Sequence, residues 1–382
     1  MRPFALAAFL VVSVFSVSAA PKTPGPEKIA VSQLQQTMAA APGENDAELA
    51  QQLSSLELSQ RLSPSLLAQF NASAPGEKSR QALLLLADKS VFLDPPATEI
   101  PADPNPDPAA TRQMLVKIVN YVNTTLRQLP NLIASRETTG FEDRPQEDAL
   151  EATGIVSYSY QPLHFVGKSL ATVTYRDRKE VVEADVAKPA KQGSKVGGLT
   201  TTGEFGPILS TTLADALKGK ITWARWEQSA NGKVAVFHYT VPNEKSNYRV
   251  QFCCVLNGFN SDNTPELQIF DEKSGYHGEI AFDPADGTIF RVTLQAEMPP
   301  HELVSNAGLV VEYAPVEIAG KSYFCPARSI SVLAAHTAQP HGMYSKANFQ
   351  GPSKTFLNDV AFGQYRRFGS EARIVAVESQ TP

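Results

Sequence analysis

The spacing of apolar residues changes twice along the chain. Between residues 32 and 90 they recur at helical intervals, as in Leu49, Leu53 and Leu56, then Leu66, Leu67 and Phe70, then Ala82, Leu85 and Leu86. This pattern predicts four short helices. Their starts are marked: Ser32-Gln33-Leu34-Gln35 reads as a capping box, and Asn45-Asp46-Ala47-Glu48 as a looser one. Ser63-Pro64 reads as an N-cap with proline at the first helical position, and a fourth helix runs from about Lys78 to Ser90. Helices this short must stack on one another to persist. Residues 94–108 then break the pattern, with six prolines and four acidic residues in fifteen, a composition for an extended, semi-rigid linker. Asp107-Pro108 opens a longer helix whose Leu115, Ile118, Val119, Val122, Leu126 and Leu129 form one stripe and which Pro130 ends.

From Leu132 onward the period is two. Strands are predicted at 155–160, 171–175, 221–227, 233–241, 248–256, 278–282, 288–297, 309–313, 321–324, 329–334, 356–368 and 372–377. Asn231-Gly232 and the run Asp283-Pro284-Ala285-Asp286-Gly287 supply turns between them. One helix interrupts, from about Gly206 to Leu217. The polar stretch holding Glu142-Asp143 and Glu147-Asp148 reads as a solvated loop. The expected fold class is therefore α+β: a small helical N-terminal domain, then a curved antiparallel β-sheet, an open half-barrel of roughly nine to eleven strands, packed on a long helix.

The N-terminus adds a location. Arg2, the apolar run Phe4–Val17 and the site Val17-Ser18-Ala19 read as a cleavable export signal over residues 1–19. The run is shorter than the roughly 20 residues needed to span a bilayer, and with no cysteine near the cleavage site a lipoprotein anchor is not expected. The domain boundaries are thus 1–19 signal peptide, 20–93 helical domain, 94–108 linker and 109–382 helix-backed β domain, with a periplasmic or secreted product lacking any later transmembrane segment.

Composition narrows function only by exclusion. Hydrophobic residues make up 42% of the chain, enough for a real core. A net charge of −5 without Lys/Arg clusters argues against nucleic acid. No metal site or cofactor is expected: His301-Glu302 lacks the second histidine of a zinc helix, and His277-Gly278-Glu279 lacks accompanying cysteine ligands, so it reads as a surface pair. No nucleophile, base and orienter can be assembled, so no catalytic residue is nominated.

Two residue classes carry more. Cys253 and Cys254 point to opposite faces of a strand, and an exported protein permits one of them to bridge Cys325; the alternation Val250, Phe252, Cys254 favours Cys254. Among the aromatics, Trp223 and Trp226 fall on opposite faces of one strand unless a bulge intervenes, while Phe237 and Phe290 sit in apolar stripes. Trp223, Trp226, Phe237 and Phe290 are the candidate lining of an apolar pocket on the concave sheet.

The run Gly278-Glu279-Ile280-Ala281-Phe282-Asp283-Pro284-Ala285-Asp286-Gly287-Thr288-Ile289-Phe290-Arg291 resembles the hairpins of LolA-like, outer-membrane-lipoprotein-sorting proteins. Residues 90–96, Gly203–Leu209 and Val250–Cys254 are similar to a family of exported bacterial proteins of unknown function. The resemblance implies a half-barrel without known catalytic residues. Three functions follow as expectations: a non-catalytic module holding a lipid-like or other apolar ligand, an envelope interaction protein with a protein partner, and a hydrolase with an unfamiliar site.

Overall fold

The computed structural model describes residues 27–368 apart from 41–42, 145–146, 152–153, 159, 185–196, 200, 202, 230–231, 260–264, 300–302 and 339–349. The export signal and the strand expected at 372–377 lie outside the described residues.

The N-terminal part comprises β1 (Glu27–Ile29), α1 (Val31–Ala40), α2 (Asp46–Ser54), β2 (Leu56–Leu58), α3 (Pro64–Ser73) and α4 (Glu77–Lys89). Strands β1 and β2 pair in parallel, and the helices close on one apolar cluster that includes Leu34, Leu49, Leu53, Phe70 and Leu83. Asn45 caps α2 as its sequence predicts, accepting the Ala47 amide at 2.9 Å. Two other starts differ. Helix α1 begins at Val31, so Ser32 is inside it, and Gln33 reaches back to accept the Ala30 amide at 2.8 Å. Ser63 precedes Pro64 but makes no cap; its hydroxyl donates to Glu99 Oε1 at 2.7 Å. The first turn of α4 is capped from another helix, Asp46 accepting the Lys78 and Ser79 amides at 3.1 and 2.9 Å.

Helix α5 (Pro108–Gln128) starts where Asp107 Oδ1 accepts the Ala109 and Ala110 amides at 2.8 and 2.7 Å. After it come β3 (Leu132–Arg144), β4 (Glu147–Glu151), β5 (Gly154–Tyr158), β6 (Gln161–Arg176), β7 (Lys179–Ala184) and α6 (Pro207–Lys218). The remaining strands are β8 (Lys220–Ser229), β9 (Gly232–Val241), β10 (Arg249–Phe259), β11 (Pro265–Lys273), β12 (Tyr276–Phe282), β13 (Ile289–Ala296), β14 (Val304–Ile318), β15 (Lys321–Ala338) and β16 (Gln350–Arg367). Ten form one antiparallel sheet in the order β7-β6-β3-β16-β15-β14-β13-β12-β9-β8. The end strands β7 and β8 do not pair with each other, so the sheet stays open and the fold is α+β with an open half-barrel. Hairpins β4–β5 and β10–β11 stand apart from it.

Three expectations are corrected here. Residues 142–143 belong to β3 rather than a loop: Asp143 is buried and accepts the Thr355 amide at 2.7 Å, while Glu142 meets Lys354 at 2.9 Å. The two strands predicted around Pro326 are one, β15, with a register shift where Tyr313 pairs Pro326; a bulge accommodates the missing N–H. The Cys254–Cys325 bridge is not formed, for Cys325 is a free, buried thiol. Strand β10 pairs with β11 rather than joining the large sheet, and its Val250 and Phe252 pack near Leu333 and Ala335 of β15. Cys325 lies eight residues from Leu333, roughly 26 Å along an extended strand, whereas a disulfide needs Cα atoms within about 7 Å.

Both faces of the sheet are covered, by different elements. On one face Met114, Ile118 and Val122 of α5 and Leu209 and Leu213 of α6 interdigitate with Phe237, Ile280, Val292 and Leu309. The turn that carries the resemblance docks α5: Gly287, at φ +86°, lies so close that a Cβ there would fall 2.5 Å from the Lys117 carbonyl carbon, and Lys117 Nζ donates to the Pro284 carbonyl at 2.8 Å. The other face receives the N-terminal helices. Leu85 of α4 packs with Phe141 and Leu357, and the Phe92 ring sits over Gly308, where a Cβ would be 2.6 Å away.

Candidate functional site

The four nominated aromatics do not form one set. Strand β8 carries a register shift between Trp223 and Arg225, and this extra residue turns both indoles onto the α5 face. Their rings meet edge to face with centroids 4.7 Å apart, and Trp223 lies 6.1 Å from Phe237. Phe237 itself is fully buried in the core. Phe290 is elsewhere, against Phe324 at 6.0 Å.

Both tryptophans are half-buried, and the Pro-rich segment lies across them. After a short 3₁₀ turn at Ala97–Glu99 the chain extends along the β8 edge. Trp226 Nε1 donates to the Pro104 carbonyl at 3.0 Å, and Trp223 Nε1 donates to Asn105 Oδ1 at 3.1 Å. Lys233 Nζ sits 4.8 Å above the Trp226 ring and pairs with Asp103 at 3.0 Å. The segment read as an extended, semi-rigid linker runs as a strap, carrying the chain around the open edge of the sheet from one face to the other.

On the opposite face, beneath the N-terminal helices, lies a cluster no sequence motif announces. Arg61 meets Glu227 at 2.6 Å, Arg225 meets Glu227 at 2.7 Å and Glu279 at 2.6 Å, and Arg291 reaches Glu227 at 3.2 Å. Burial works to raise the Glu227 carboxyl, but Arg291 and Arg61 override it and hold it at about 2. A second linkage joins Arg328 of β15 to Asp88 of α4 and to Asp359 of β16. Burial, with Asp359 alongside, pushes the Asp88 carboxyl up. A cavity of about 20 Å³ lies between these groups, lined by Arg61, Leu67, Arg291 and Arg328 among others, room for about one water. His277 is not paired with Glu279, whose carboxylate is taken by Arg225; its nearest acid is Glu297 at 3.6 Å.

A third group sits at the far edge. Glu180 of β7 and the fully buried Glu204, in the turn before α6, face each other, and Arg136 approaches Glu204 at 3.6 Å. Burial first, and the Glu204 charge second, push the Glu180 carboxyl up to about 8, so the pair retains a proton at neutral pH. Glu180 Oε2 accepts the Phe205 amide at 3.2 Å, which ties the turn to the sheet edge. Neither glutamate lies in a recognisable motif, and their adjacency arises only from the fold. Among the described residues no group of three or more His, Cys, Asp and Glu side chains is placed to hold a metal ion, and no helix is long and apolar enough to cross a membrane.

No protein-family model and no curated protein matches this chain. Among solved structures it is similar to a LolA superfamily protein from Nitrosomonas europaea, at 8% identity and a TM-score of 0.27, covering 68% of this chain and 94% of that one. It is also similar to a DUF1329 family protein from Desulfovibrio piger, at 9% identity and a TM-score of 0.22, covering 72% and 96%. At such identities and TM-scores these neighbours lend neither a family nor residue roles to this chain.

Proposed function

We propose that the protein is a non-catalytic binding module that takes an apolar, lipid-like ligand on the inner face of its open sheet. One observation carries this reading: the apolar face is closed by separate, locally held covers rather than by one continuous layer. Helices α5 and α6 cover its centre, the turn around Phe205 covers one flank, and hairpin β10–β11 covers another. The α5 cover is held at its start by the strap, through two indole hydrogen bonds and one half-exposed ion pair. Lifting the strap and the first turns of α5 exposes Met114 and Ile118, and an acyl chain entering in their place recovers about 0.8 kcal/mol per buried CH₂. The ligand would then lie on Phe237, Phe282 and Ile280, with the tryptophans at its entrance. Export to a periplasm or the cell exterior, expected from residues 1–19, places such a module among envelope lipids.

The test is titration with a dansyl-labelled fatty acid, combined with hydrogen exchange. Saturable one-site binding that lowers protection in α5 is expected. Emission that rises without saturation, with α5 protection unchanged, would overturn the reading.

A further inference from the structure

The geometry points to a second site: the Trp223–Trp226 shelf is a groove for an extended, acidic, proline-rich segment of a partner protein, occupied in this structure by the chain's own residues 103–105. A polyproline II segment has no internal hydrogen bonds, and its carbonyls stand free for donors on an aromatic surface. Here three consecutive residues are engaged by three different side chains. Lys233 takes the Asp103 carboxylate, Trp226 Nε1 takes the Pro104 carbonyl, and Trp223 Nε1 takes the Asn105 side chain. Aromatic shelf, indole donor and neighbouring cation are the elements by which proline-rich ligands are recognised between proteins.

Two features go beyond what anchoring a connector requires. The shelf exists only because β8, an edge strand, bulges between Trp223 and Arg225; regular alternation would send one indole to the opposite face. These are also the only two tryptophans in the chain, both left half-buried while their neighbours Phe237, Phe282 and Tyr239 are sealed. Tryptophan is among the residues on which partner binding concentrates. Lys233 sets the sign of the ligand, and its place over the Trp226 ring keeps it there. The tethered strap has an effective concentration in the millimolar range, so a partner segment must displace it. The groove is thus self-occluded, and it opens where a partner offers the same chemistry at higher local concentration. The groove's contacts come from side chains of β8 and β9 at the sheet edge and include none of the residues on which the apolar ligand would lie, although both readings need the strap to move.

Because both tryptophans of the chain are in the groove, intrinsic emission reports its occupancy. The full chain carrying Asp103→Ala and Asn105→Ala, changes at exposed positions, should keep its circular dichroism and shift its emission to the red. Adding the free octapeptide Ile-Pro-Ala-Asp-Pro-Asn-Pro-Asp, which copies residues 100–107, should restore the original emission saturably. Lys233→Ala in the same background should weaken that binding roughly five-fold, the equivalent of about 1 kcal/mol. A peptide with its prolines changed to alanine should bind at least as much more weakly. No restoration by the octapeptide, or equal binding of the alanine peptide, would overturn the proposal. The octapeptide is titrated without fatty acid and the fatty acid without peptide, so failure of one leaves the other standing.

Discussion

Arg61 and Glu227, 166 residues apart in sequence, meet at 2.6 Å between the N-terminal helices and β8, both almost fully buried. The pair joins two layers that each have their own apolar cluster. Removing one partner of a buried pair leaves an uncompensated charge and costs roughly 3–5 kcal/mol. Glu227→Gln should therefore lower the unfolding free energy by about that much in denaturant titrations, since Arg61, Arg225 and Arg291 all lose a counter-charge. The native carboxyl titrates near 2 against an ordinary 4.5, so its contribution is whole above pH 4.5 and fades as pH falls toward 2. The variant should lack that part of the acid limb.

Glu180 has the opposite sign. Its native carboxyl is raised from 4.5 to about 8, so between those values the unfolded chain releases a proton that the folded chain keeps. Stability must fall as pH rises through this window and level off above it. Glu180→Gln should flatten the slope of Tm against pH from 5 to 8; an unchanged slope would show that the pair with Glu204 does not hold the proton.

Gly287 is constrained twice, by φ of +86° and by the α5 backbone, whereas at Gly232, with φ +98°, an added Cβ would meet nothing within 4 Å. Gly232→Ala should cost only the left-handed penalty, about 1–2 kcal/mol. Gly287→Ala should cost more, because α5 must move away from the turn. Equal losses in thermal unfolding would mean that the turn does not seat the helix.

Burial leaves the Cys325 thiol fully enclosed and pushes it up to about 12. The thiolate is the reactive form, so iodoacetamide should not modify Cys325 in the folded protein at pH 8 and should do so once denaturant is added. Peptide mapping by mass spectrometry reads both states.

Much of the fold is legible in the sequence because it rests on local rules. Asp107 and Asn45 cap helices where their positions predict caps, and β8, β9, β10, β12 and β13 fall where the alternation places them, whereas β11 (Pro265–Lys273) carries no strand expectation. Strand β3 escapes that rule because it is covered on both faces in different ways, with Leu132 and Ala134 in one cluster and Phe141 in another, so no simple alternation survives. The tryptophan pair is legible only in part: a bulge inserts one residue without any composition signal, and here it decides which face an indole takes. The ionic linkages are invisible for a different reason. Arg61 with Glu227 and Asp88 with Arg328 are joined only by topology, 166 and 240 residues apart, and single charged residues in helices, strands and the connections between them look like solvated surface until a second layer covers them.

Native mass spectrometry of the full protein, purified without detergent from the envelope of an expressing bacterium, tests the binding-module account most directly. The account predicts a complex with a lipid of defined mass that survives gentle ionisation and is released on unfolding. A clean apo mass that stays unchanged after incubation with phospholipids and fatty acids would contradict it.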